Sequence, residues 1–306
     1  MSTNQMAEHT PVLQNEVVAA FTEQPRLPEK FFEGTFGRGG HTRLLLQKFP
    51  KSKVTSCDRD LQAVKFGEEN FKNEISAGRL QIINEDFRNV FAGSPRDDLG
   101  LFDGVLLDLG VSSPQLDRAE RGFSFMHDGP LDMRMDQRQS LTAAQIINEA
   151  NEKEISDIFF QFGEIRKPNR VVRAIVHDRK TEPFTTTLQL ASLISRVERA
   201  GGNTGRRIHP ATPYFQALRI AVNRELDDLE PFFENLHLHM EPGSRVVVIS
   251  FHSLEDRIVK WAFRKMNKKF GRIINKKVML PGEAEITANP RSRSAKMRIF
   301  EMGGLA

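Results

Sequence analysis

The sequence predicts an α/β protein whose doubly wound parallel sheet is interrupted by a helical insertion. Short apolar segments alternate with segments of helical periodicity through the first third of the chain. Near-continuous apolar strands of this kind are typical of parallel sheets that helices cover on both faces. After the fourth such strand the alternation stops for roughly 90 residues and then resumes, which indicates an insertion into one core.

Each predicted strand of the core is a short apolar run bounded by polar residues or glycines. The run at 53–57 is followed by Asp58, and the run at 102–107 is followed by Asp108. The predicted strands lie at 31–33, 53–57, 80–83, 102–107 and 245–250, with a last pair at 277–280 and 297–300. The predicted helices of the core include 42–49 and 213–229.

The insertion is predicted to be helical, because its apolar residues recur at helical spacing and no segment alternates as a strand does. Asn151, followed three positions later by Glu154, predicts a capping box. Glycines at 201–205 predict a flexible return to the core. The predicted helices lie at 142–150, 152–162, 169–178 and 186–199. The predicted domains are a discontinuous core at 1–116 and 208–306 and an inserted helical domain at 117–207.

Composition excludes several classes of protein. Hydrophobic residues make up 39% of the chain and charged residues 27%, as in ordinary globular proteins. Cys57 is the only cysteine, so a disulfide framework is excluded and a reducing, cytoplasmic setting is expected. The first residues are polar, and no apolar stretch approaches the roughly 20 residues of a membrane helix, which argues against secretion and against a membrane span.

The distribution of charge predicts a polyanionic partner. The net charge is +4, yet residues 257–306 alone carry 13 basic and 3 acidic side chains. Nucleic acid is the first candidate partner, and a solvated basic surface is an equal alternative. Basic residues alternate along a segment predicted to be extended, which would place them on one face for phosphate contacts. They are Arg291, Arg293, Lys296 and Arg298.

The segment that joins the first strand to the first helix is rich in glycine. Gly37, Gly39 and Gly40 allow the backbone to approach a ligand, and the helix beyond them offers unpaired amides. Asp58, about 20 residues on, is placed to accept hydrogen bonds from ribose hydroxyls. Glu33 is unfavourable beside a diphosphate but suits the ammonium and sulfonium charges of S-adenosyl-L-methionine. The loop therefore predicts a nucleoside cofactor and favours a methyl donor over NAD.

Asp108 ends the fourth strand, at the edge where open parallel sheets bind ligands. The Ser113-Pro114 dipeptide after it predicts an extended turn that directs polar groups into the crevice. Methylation of an aromatic amine needs acceptors for the N–H protons and depends on positioning. Asp108 is thus a candidate for orienting an amine. The equal alternative is that its side chain only caps a turn. Phe87 is a candidate for contacting adenine, with core packing the better interpretation from the residues alone.

Three long segments are distinctive: EGTFGRGGH at 33–41, DLGVSSPQLD at 108–117 and SFHSLEDR at 250–257. Others lie at 58–60, 121–125, 131–136, 209–212, 215–220 and 289–294. In this order they resemble the bacterial small-subunit rRNA methyltransferase H family, also called MraW, over nearly the whole chain. The resemblance implies a class I Rossmann-like, S-adenosyl-L-methionine-dependent core. It also implies methylation of N4 of a cytidine in the decoding region of 16S rRNA.

The resemblance also assigns residues by position. The implied cofactor-binding residues are Gly39, Gly40, His41, Asp58, Phe87, Asp108 and Gln115. The residues expected to orient the cytosine amine are Asp108, Ser112, Ser113 and Pro114. The chain departs from the family's usual pattern at Glu33, where aspartate is usual, and at Pro213-Tyr214, where Arg-Thr is usual.

Other segments are assigned to the substrate rather than to a metal. The segment 250–256 is expected to line the substrate side of the crevice, because its histidine and carboxylates have no partner cluster for a metal site. Phe123 and Phe125, beside Arg121, are a candidate RNA clamp, with packing between core and insertion an equal alternative. The expected partner is 16S rRNA in the small ribosomal subunit, gripped in part by the inserted domain. No membrane partner is expected, and a homodimer is left open.

Three alternative functions remain at this point. A cytosine-N4 DNA methyltransferase would use the same donor site on a different polymer. A non-catalytic assembly factor would bind rRNA through the basic C-terminal region and would not need the glycine loop or Asp58. A dehydrogenase that binds NAD is a remote third, because the spacing of the glycines is not the one that a dinucleotide requires.

Overall fold

The computed structural model describes residues 10–93, 96, 98–200 and 209–303. The chain divides into two compact units, of which one is Val111–Leu226 and the other combines the residues up to Gly110 with those from Asp227 onward. We call them the helical unit and the sheet unit. The two domain boundaries predicted from the sequence, after residues 116 and 207, both fall within the helical unit. The glycine-rich return predicted at 201–205 lies outside the described residues.

The strands of the sheet unit are β1 Lys30–Glu33, β2 Lys53–Cys57, β3 Leu80–Ile83, β4 Phe102–Asp108, β5 Met240–Ser250, β6 Gly271–Ile273 and β7 Lys296–Met302. They form one seven-stranded sheet in the order β3-β2-β1-β4-β5-β7-β6. Neighbours among β1 to β5 are parallel, and β7 is antiparallel to β5 and β6. The chain therefore winds outward from β1 in both directions, as in doubly wound α/β folds. The predicted Rossmann-like α/β fold is confirmed.

The prediction of a strand at 277–280 is wrong. Only Met279 bridges to β7 there, and the regular antiparallel partner of β7 is β6. Just after β6, the amide of Ile299 donates to Asn275 Oδ1 at 2.7 Å. Asn275 Nδ2 in turn donates to the Met297 carbonyl at 2.9 Å. Because a side chain takes the place of a backbone partner at Ile299, regular strand pairing stops at this point.

The helices are α1 Gln14–Thr22, α2 Gly40–Lys48, α3 Leu61–Asn70, α4 Lys72–Ser76, α5 Phe87–Val90, α6 Ser113–Asp117, α7 Ala143–Glu149, α8 Glu152–Gly163, α9 Asn169–Asp178, α10 Thr187–Ala200, α11 Thr212–Asn223, α12 Leu229–Asn235, α13 Ser253–Met266 and α14 Glu283–Ala288. Short 3₁₀ turns lie at Ala119–Arg121, Leu236–Leu238 and Pro290–Ser294. In the described part of the chain, no helix combines the length and the apolar character that crossing a bilayer requires.

Alternate residues of the central strands pack on opposite faces of the sheet. Val105 and Leu107 of β4 belong to an apolar cluster that includes Phe263 of α13. Leu106, which lies between them, belongs to another cluster, with Phe21 of α1. Because both faces of β4 are buried in this way, its sequence is apolar at successive positions rather than at alternate ones.

The helical unit comprises α6 to α11 around an apolar core of its own. Its described residues contain no strand, only an isolated bridge between Pro130 and Thr186. The four helices predicted between 142 and 199 are present as α7 to α10. The predicted capping box is confirmed, since the Glu154 amide donates to Asn151 Oδ1 at 3.0 Å and the Asn151 amide donates to Glu154 Oε2 at 2.8 Å.

The single helix predicted at 213–229 is two helices. α11 ends at Asn223 because Arg224 adopts a left-handed conformation with φ of 49°, which a right-handed helix cannot continue. The buried side chain of Asn223 accepts from the Met135 amide and donates to the Met133 carbonyl, each at 2.7 Å. The end of α11 is thus held by contacts with a segment about 90 positions away, which periodicity cannot indicate.

Candidate active site

The carboxyl ends of β1 to β4 lie side by side at one edge of the sheet, because these strands are parallel neighbours. Glu33 of β1 lies opposite Ser56 of β2 and Leu106 of β4. The glycine loop follows Glu33, Asp58 follows β2, and Asp108 ends β4. Residues that are far apart in sequence therefore meet at the edge where doubly wound sheets bind ligands.

The glycine loop has a backbone conformation and packing that require glycine at position 39. Gly39 has φ of 68°, and a Cβ there would lie 2.5 Å from the ring of Phe71 and 2.8 Å from the ring of Phe36. Gly39 is the N-cap of α2 and Gly40 is its first residue, so the unpaired amides of the helix follow the loop directly. The loop is therefore packed against its own unit as well as placed for a ligand.

Asp58 holds the glycine loop in place. Its Oδ2 accepts from the Gly37 amide and its Oδ1 accepts from the Asp60 amide, each at 2.8 Å. Burial raises the pKa of Asp58 to about 6, although these two backbone hydrogen bonds act in the opposite direction. Each carboxylate oxygen can accept more than one hydrogen bond, so the predicted ribose contact is compatible with this arrangement. Sequence analysis found Asp58 but missed its bonds to the loop.

Glu33 lies inside the sheet unit and is only 1% exposed. Its Oε2 accepts hydrogen bonds from the hydroxyl of Thr42 on α2 and, at 3.0 Å, from the hydroxyl of Ser56 on β2. Burial raises the pKa of Glu33 to about 8, and the carboxylates of Asp108 and Asp58 add to the effect. At neutral pH the neutral form therefore predominates. The structure thus gives Glu33 a bridging role between strand and helix, which differs from the expected contact with a cationic ligand.

Asp108 presents a buried acceptor at this edge. Its backbone amide donates to Thr35 Oγ1 at 2.8 Å, which fixes the end of β4 to the glycine loop. Its Oδ2 lies 3.6 Å from Nδ1 of His41, whose Nε2 lies 3.0 Å from the Val12 carbonyl. Among the described residues its Oδ1 has no hydrogen-bond partner, although the atom is buried. Burial, and then the nearby carboxylate of Glu255, raise the pKa of Asp108 to about 7.

His41 and Thr35 complete this arrangement. Because the Val12 carbonyl can only accept, Nε2 of His41 donates to it, and Nδ1 faces the carboxyl group of Asp108. Sequence analysis assigned His41 to the cofactor by position and missed Thr35, whose only signal is a hydroxyl within the glycine loop.

Phe87 lies both in the apolar core and against the glycine loop. Its ring packs edge-on against Phe232 at 5.0 Å between centroids. A Cβ on Gly34 would come within 2.9 Å of the Cβ of Phe87. Asp86, just before it, caps α5 and pairs with Arg88 at 2.6 Å and with Arg59 at 3.5 Å. Phe87 can therefore pack in the core and also lie beside the glycine loop, so the two interpretations given for it are compatible.

The residues Ser112 to Gln115 belong to the helical unit, where they form the start of α6. Gln115 is buried, and its Oε1 accepts from the Ser112 amide at 3.0 Å as part of a capping box. The extended turn predicted at Ser113-Pro114 is wrong, because Ser113 is already the first helical residue. Proline is tolerated in the first turn, where its missing N–H would have had no partner in the helix.

The candidate RNA clamp is contradicted at Phe123, which is 6% exposed and is buried in the core of the helical unit. The ring of Phe125 packs against Phe215 at 4.8 Å between centroids. Arg121 is buried beside them and donates to the Arg134 carbonyl at 3.0 Å, which holds this segment against the core.

The basic stretch predicted to be extended contains a 3₁₀ turn at Pro290–Ser294, so its arginines do not alternate along a strand. Only Lys296 and Arg298 lie on β7. Arg298 donates to Asp256 of α13 at 2.7 Å and is largely buried. The predicted row of phosphate contacts is therefore wrong. His252 follows β5 and forms a capping box with Glu255 at the start of α13.

Comparison with known proteins places the chain in a family. The chain matches the MraW methylase family over residues 6–303. It is 51% identical to the ribosomal RNA small subunit methyltransferase H of Bdellovibrio bacteriovorus, over 96% of this chain and 88% of that protein. A protein of the same name from a Cyanothece species is 48% identical, over 96% of this chain and 94% of that protein. On this similarity, the chain belongs to the MraW methylase family.

Proposed function

We propose that the protein methylates N4 of a cytidine in the decoding region of 16S rRNA, in the small ribosomal subunit, with S-adenosyl-L-methionine as the methyl donor. Membership of the MraW methylase family supports methyl transfer. The name of the relatives supports rRNA of the small subunit as the substrate. The structural observation that carries the site is the buried, unpartnered Oδ1 of Asp108 at the carboxyl edge of the sheet.

The residues at this edge fit the donor. Gly39 and Gly40 would allow its close approach to the backbone, Asp58 would accept from its ribose hydroxyls, and Phe87 would contact its adenine. His41 holds the end of the loop through the Val12 carbonyl. When bound, S-adenosyl-L-methionine supplies an electrophilic methyl group on a sulfonium. The glycines at 37, 39 and 40 do not have the spacing that a dinucleotide requires, which argues against NAD.

Asp108 orients the amine of the target cytosine. The lone pair of N4 is delocalised into the ring, so an acceptor for an N–H proton makes the nitrogen a better nucleophile. The Oδ1 atom of Asp108 is such an acceptor, and the amide bond to Thr35 fixes its position. With a pKa of about 7, the carboxylate can also take up the proton that N4 releases once the new bond has formed.

The role of Gln115 rests on the resemblance in sequence, and those of Ser112 to Pro114 rest on their place directly after the strand that ends at Asp108. Ser112, Ser113 and Pro114 are proposed to help orient the amine, and Gln115 to contact the donor. The helical unit as a whole is proposed to contribute to recognition of the ribosomal substrate. Acting on small subunits, the protein would work in the cytoplasm.

The test is transfer of labelled methyl from S-adenosyl-L-methionine to small ribosomal subunits that lack this modification, followed by nucleoside analysis. We expect the label in N4-methylcytidine, and we expect Asp108→Ala to lose it. Asp98→Ala is the matched control, because Asp98 is an exposed carboxylate of the same unit.

Three outcomes would contradict the proposal. Label in DNA rather than in rRNA would indicate a cytosine-N4 DNA methyltransferase. Label in another nucleoside of the rRNA would overturn the N4 assignment. Absence of label, despite measurable donor binding and binding to the subunit, would indicate a non-catalytic assembly factor.

A further inference from the structure

The outer face of α13 carries the only tryptophan of the chain. Trp261 is 52% exposed. The opposite face of the helix is buried in the sheet unit through residues such as Val259 and Phe263. Residues three and four positions apart lie on the same side of a helix, and basic side chains recur around Trp261 at these spacings. The surface formed by Lys260, Trp261 and Arg264, with Lys268 and Lys269 just beyond the helix, is called the Trp261 face.

Trp261 is held by a neighbouring cation rather than by the core. The guanidinium of Arg264 lies over the indole, 4.9 Å from the ring centroid. Such a contact restricts the ring at the surface without burying it. Among the described residues, Arg264 forms no ion pair and no side-chain hydrogen bond, so its donors remain available to an anion.

The positive charge of the Trp261 face is not neutralised within the described parts of the chain. Lys260, Lys268 and Lys269 form no ion pair there. The acidic groups of α13 are directed elsewhere, since Asp256 is bound by Arg298 and Glu255 forms the capping box at the start of the helix. Lys265, four positions after Trp261, lies on the same side of the helix but is paired with Glu230, so its charge is not counted with this face.

We propose that the Trp261 face binds unpaired RNA of the ribosomal substrate, with a base stacked on the indole and the surrounding cations on the phosphates. The identity of the occupant rests on the proposed function. An exposed aromatic ring among unpaired cations is the arrangement that single-stranded nucleic acids require. An anionic membrane fits less well, because helices that lie in a membrane present a broad apolar stripe, and the apolar residues of α13 are instead in the core.

The test uses the fluorescence of the wild-type protein, which contains a single tryptophan, so that the signal reports on Trp261 alone. The probe is oligocytidylate, with its binding followed independently by the anisotropy of a labelled copy. We expect saturable quenching of the tryptophan and protection of the ring from iodide as RNA binds. Vesicles of phosphatidylglycerol and phosphatidylcholine are the comparison, and we expect no blue shift with them.

Variants then separate stacking from charge. Loss of a stacked base costs about 1–3 kcal/mol, so Trp261→Ala should weaken RNA binding about fivefold or more, while Trp261→Phe should retain part of the affinity. Leu27→Ala is the control for loss of an exposed apolar side chain, since Leu27 is 64% exposed in the same unit. Arg264→Gln should lower the slope of log K against log salt by about 0.7, whereas Lys51→Gln, at an exposed turn, should not.

Bound RNA with unchanged tryptophan fluorescence would overturn the inference, as would unchanged affinity in Trp261→Ala. A blue shift on vesicles without quenching by RNA would assign the face to membranes instead. These results are separable from the proposed function. Quenching by RNA, without methyl transfer to small subunits by the wild-type protein, supports the face and overturns the enzyme. Methyl transfer with no quenching, and with an unchanged KM for subunits in Trp261→Ala, supports the enzyme and overturns the role of the Trp261 face.

Discussion

Asp108 retains a buried acceptor that the described part of the protein leaves unpartnered. A buried polar atom without a hydrogen bond costs about 1–3 kcal/mol in a folded protein. The backbone amide of the same residue is bonded to Thr35, so the position of the residue is fixed. A fixed and unpartnered acceptor at this edge is what the proposed role of Asp108 in orienting the amine requires.

The pH dependence of methyl transfer tests this role. We expect the rate to rise with pH through about 7, because Asp108 ionises there and only the carboxylate accepts well. In Asp108→Asn the inflection should disappear, and the rate at higher pH should fall by about 100-fold or more. Initial rates on small subunits between about pH 5.5 and 8.5 measure both effects. Asp98→Asn should keep the wild-type profile, and an inflection that persists in Asp108→Asn would refute the assignment.

Glu33 predicts a pH dependence of stability rather than of activity. Its pKa is about 8 in the folded protein against an ordinary value of 4.5, so between these values the folded state binds a proton that the unfolded state has lost. The free energy of unfolding should therefore fall as pH rises through this window. We expect the free energy of unfolding of Glu33→Gln to fall by about 3 kcal/mol less than that of the wild type between about pH 6 and 9.

Denaturant unfolding at the two pH values measures this difference. Glu68→Gln changes an exposed glutamate of the same unit and should leave the wild-type pH dependence unaltered. If Glu33→Gln and the wild type lose equal stability over this range, then Glu33 is not the group responsible.

At the scale of the element, the glycine loop needs glycine for two reasons, a left-handed backbone and close packing, which the sequence alone does not separate. Gly39 and Gly78 both have positive φ, 68° and 65°. A Cβ at Gly39 would collide with two phenylalanine rings, whereas a Cβ at Gly78 would meet nothing within 4 Å. The two positions therefore distinguish backbone strain from packing of the loop.

We expect Gly78→Ala to cost about 1 kcal/mol, from the left-handed backbone alone. Gly39→Ala should cost about 2–4 kcal/mol, because overpacking adds to the same strain. It should also weaken the binding of S-adenosyl-L-methionine, which Gly78→Ala should leave intact. Denaturant unfolding and calorimetric titration of the donor check the two effects. Equal losses in the two variants would mean that packing around the loop is unimportant.

Helix ends and strand partners show where local patterns are sufficient. The capping box at Asn151 was predicted correctly because both of its partners lie within one turn of each other. The helix predicted at 213–229 and the strand predicted at 277–280 were wrong. In each case a single asparagine side chain, Asn223 or Asn275, bonds to backbone from another segment. Contacts of that kind leave no periodic signal in the sequence.

At the scale of the whole molecule, charge is distributed unevenly along the chain. Residues 257–306 carry 13 basic and 3 acidic side chains, an excess of 10 that exceeds the net charge of +4, so the remainder of the chain is acidic on balance. Part of that excess is used internally, since Arg298 and Arg272 pair with Asp256 and Glu301. The remaining cations provide an attraction to polyanions that depends on salt.

Salt should therefore affect the two substrates differently. We expect the KM for small subunits to rise by about tenfold or more between about 50 and 200 mM salt, because counterions compete for the phosphates. The KM for S-adenosyl-L-methionine should change little, because the donor is small and close to neutral overall. Steady-state kinetics with each substrate varied in turn provides the measurement, and equal salt dependence of the two KM values would contradict it.

The amino-acid sequence by itself determined the class of fold, the positions of the parallel strands along the chain and the family to which the chain belongs. These depend on local apolar runs and on long distinctive segments, which are visible without coordinates. Only the tertiary structure decided what each polar side chain contacts. It placed Glu33 between two hydroxyls, Asp58 against the loop and Phe123 in a core. Such contacts join residues distant in sequence, so their energies depend on packing that no local pattern records.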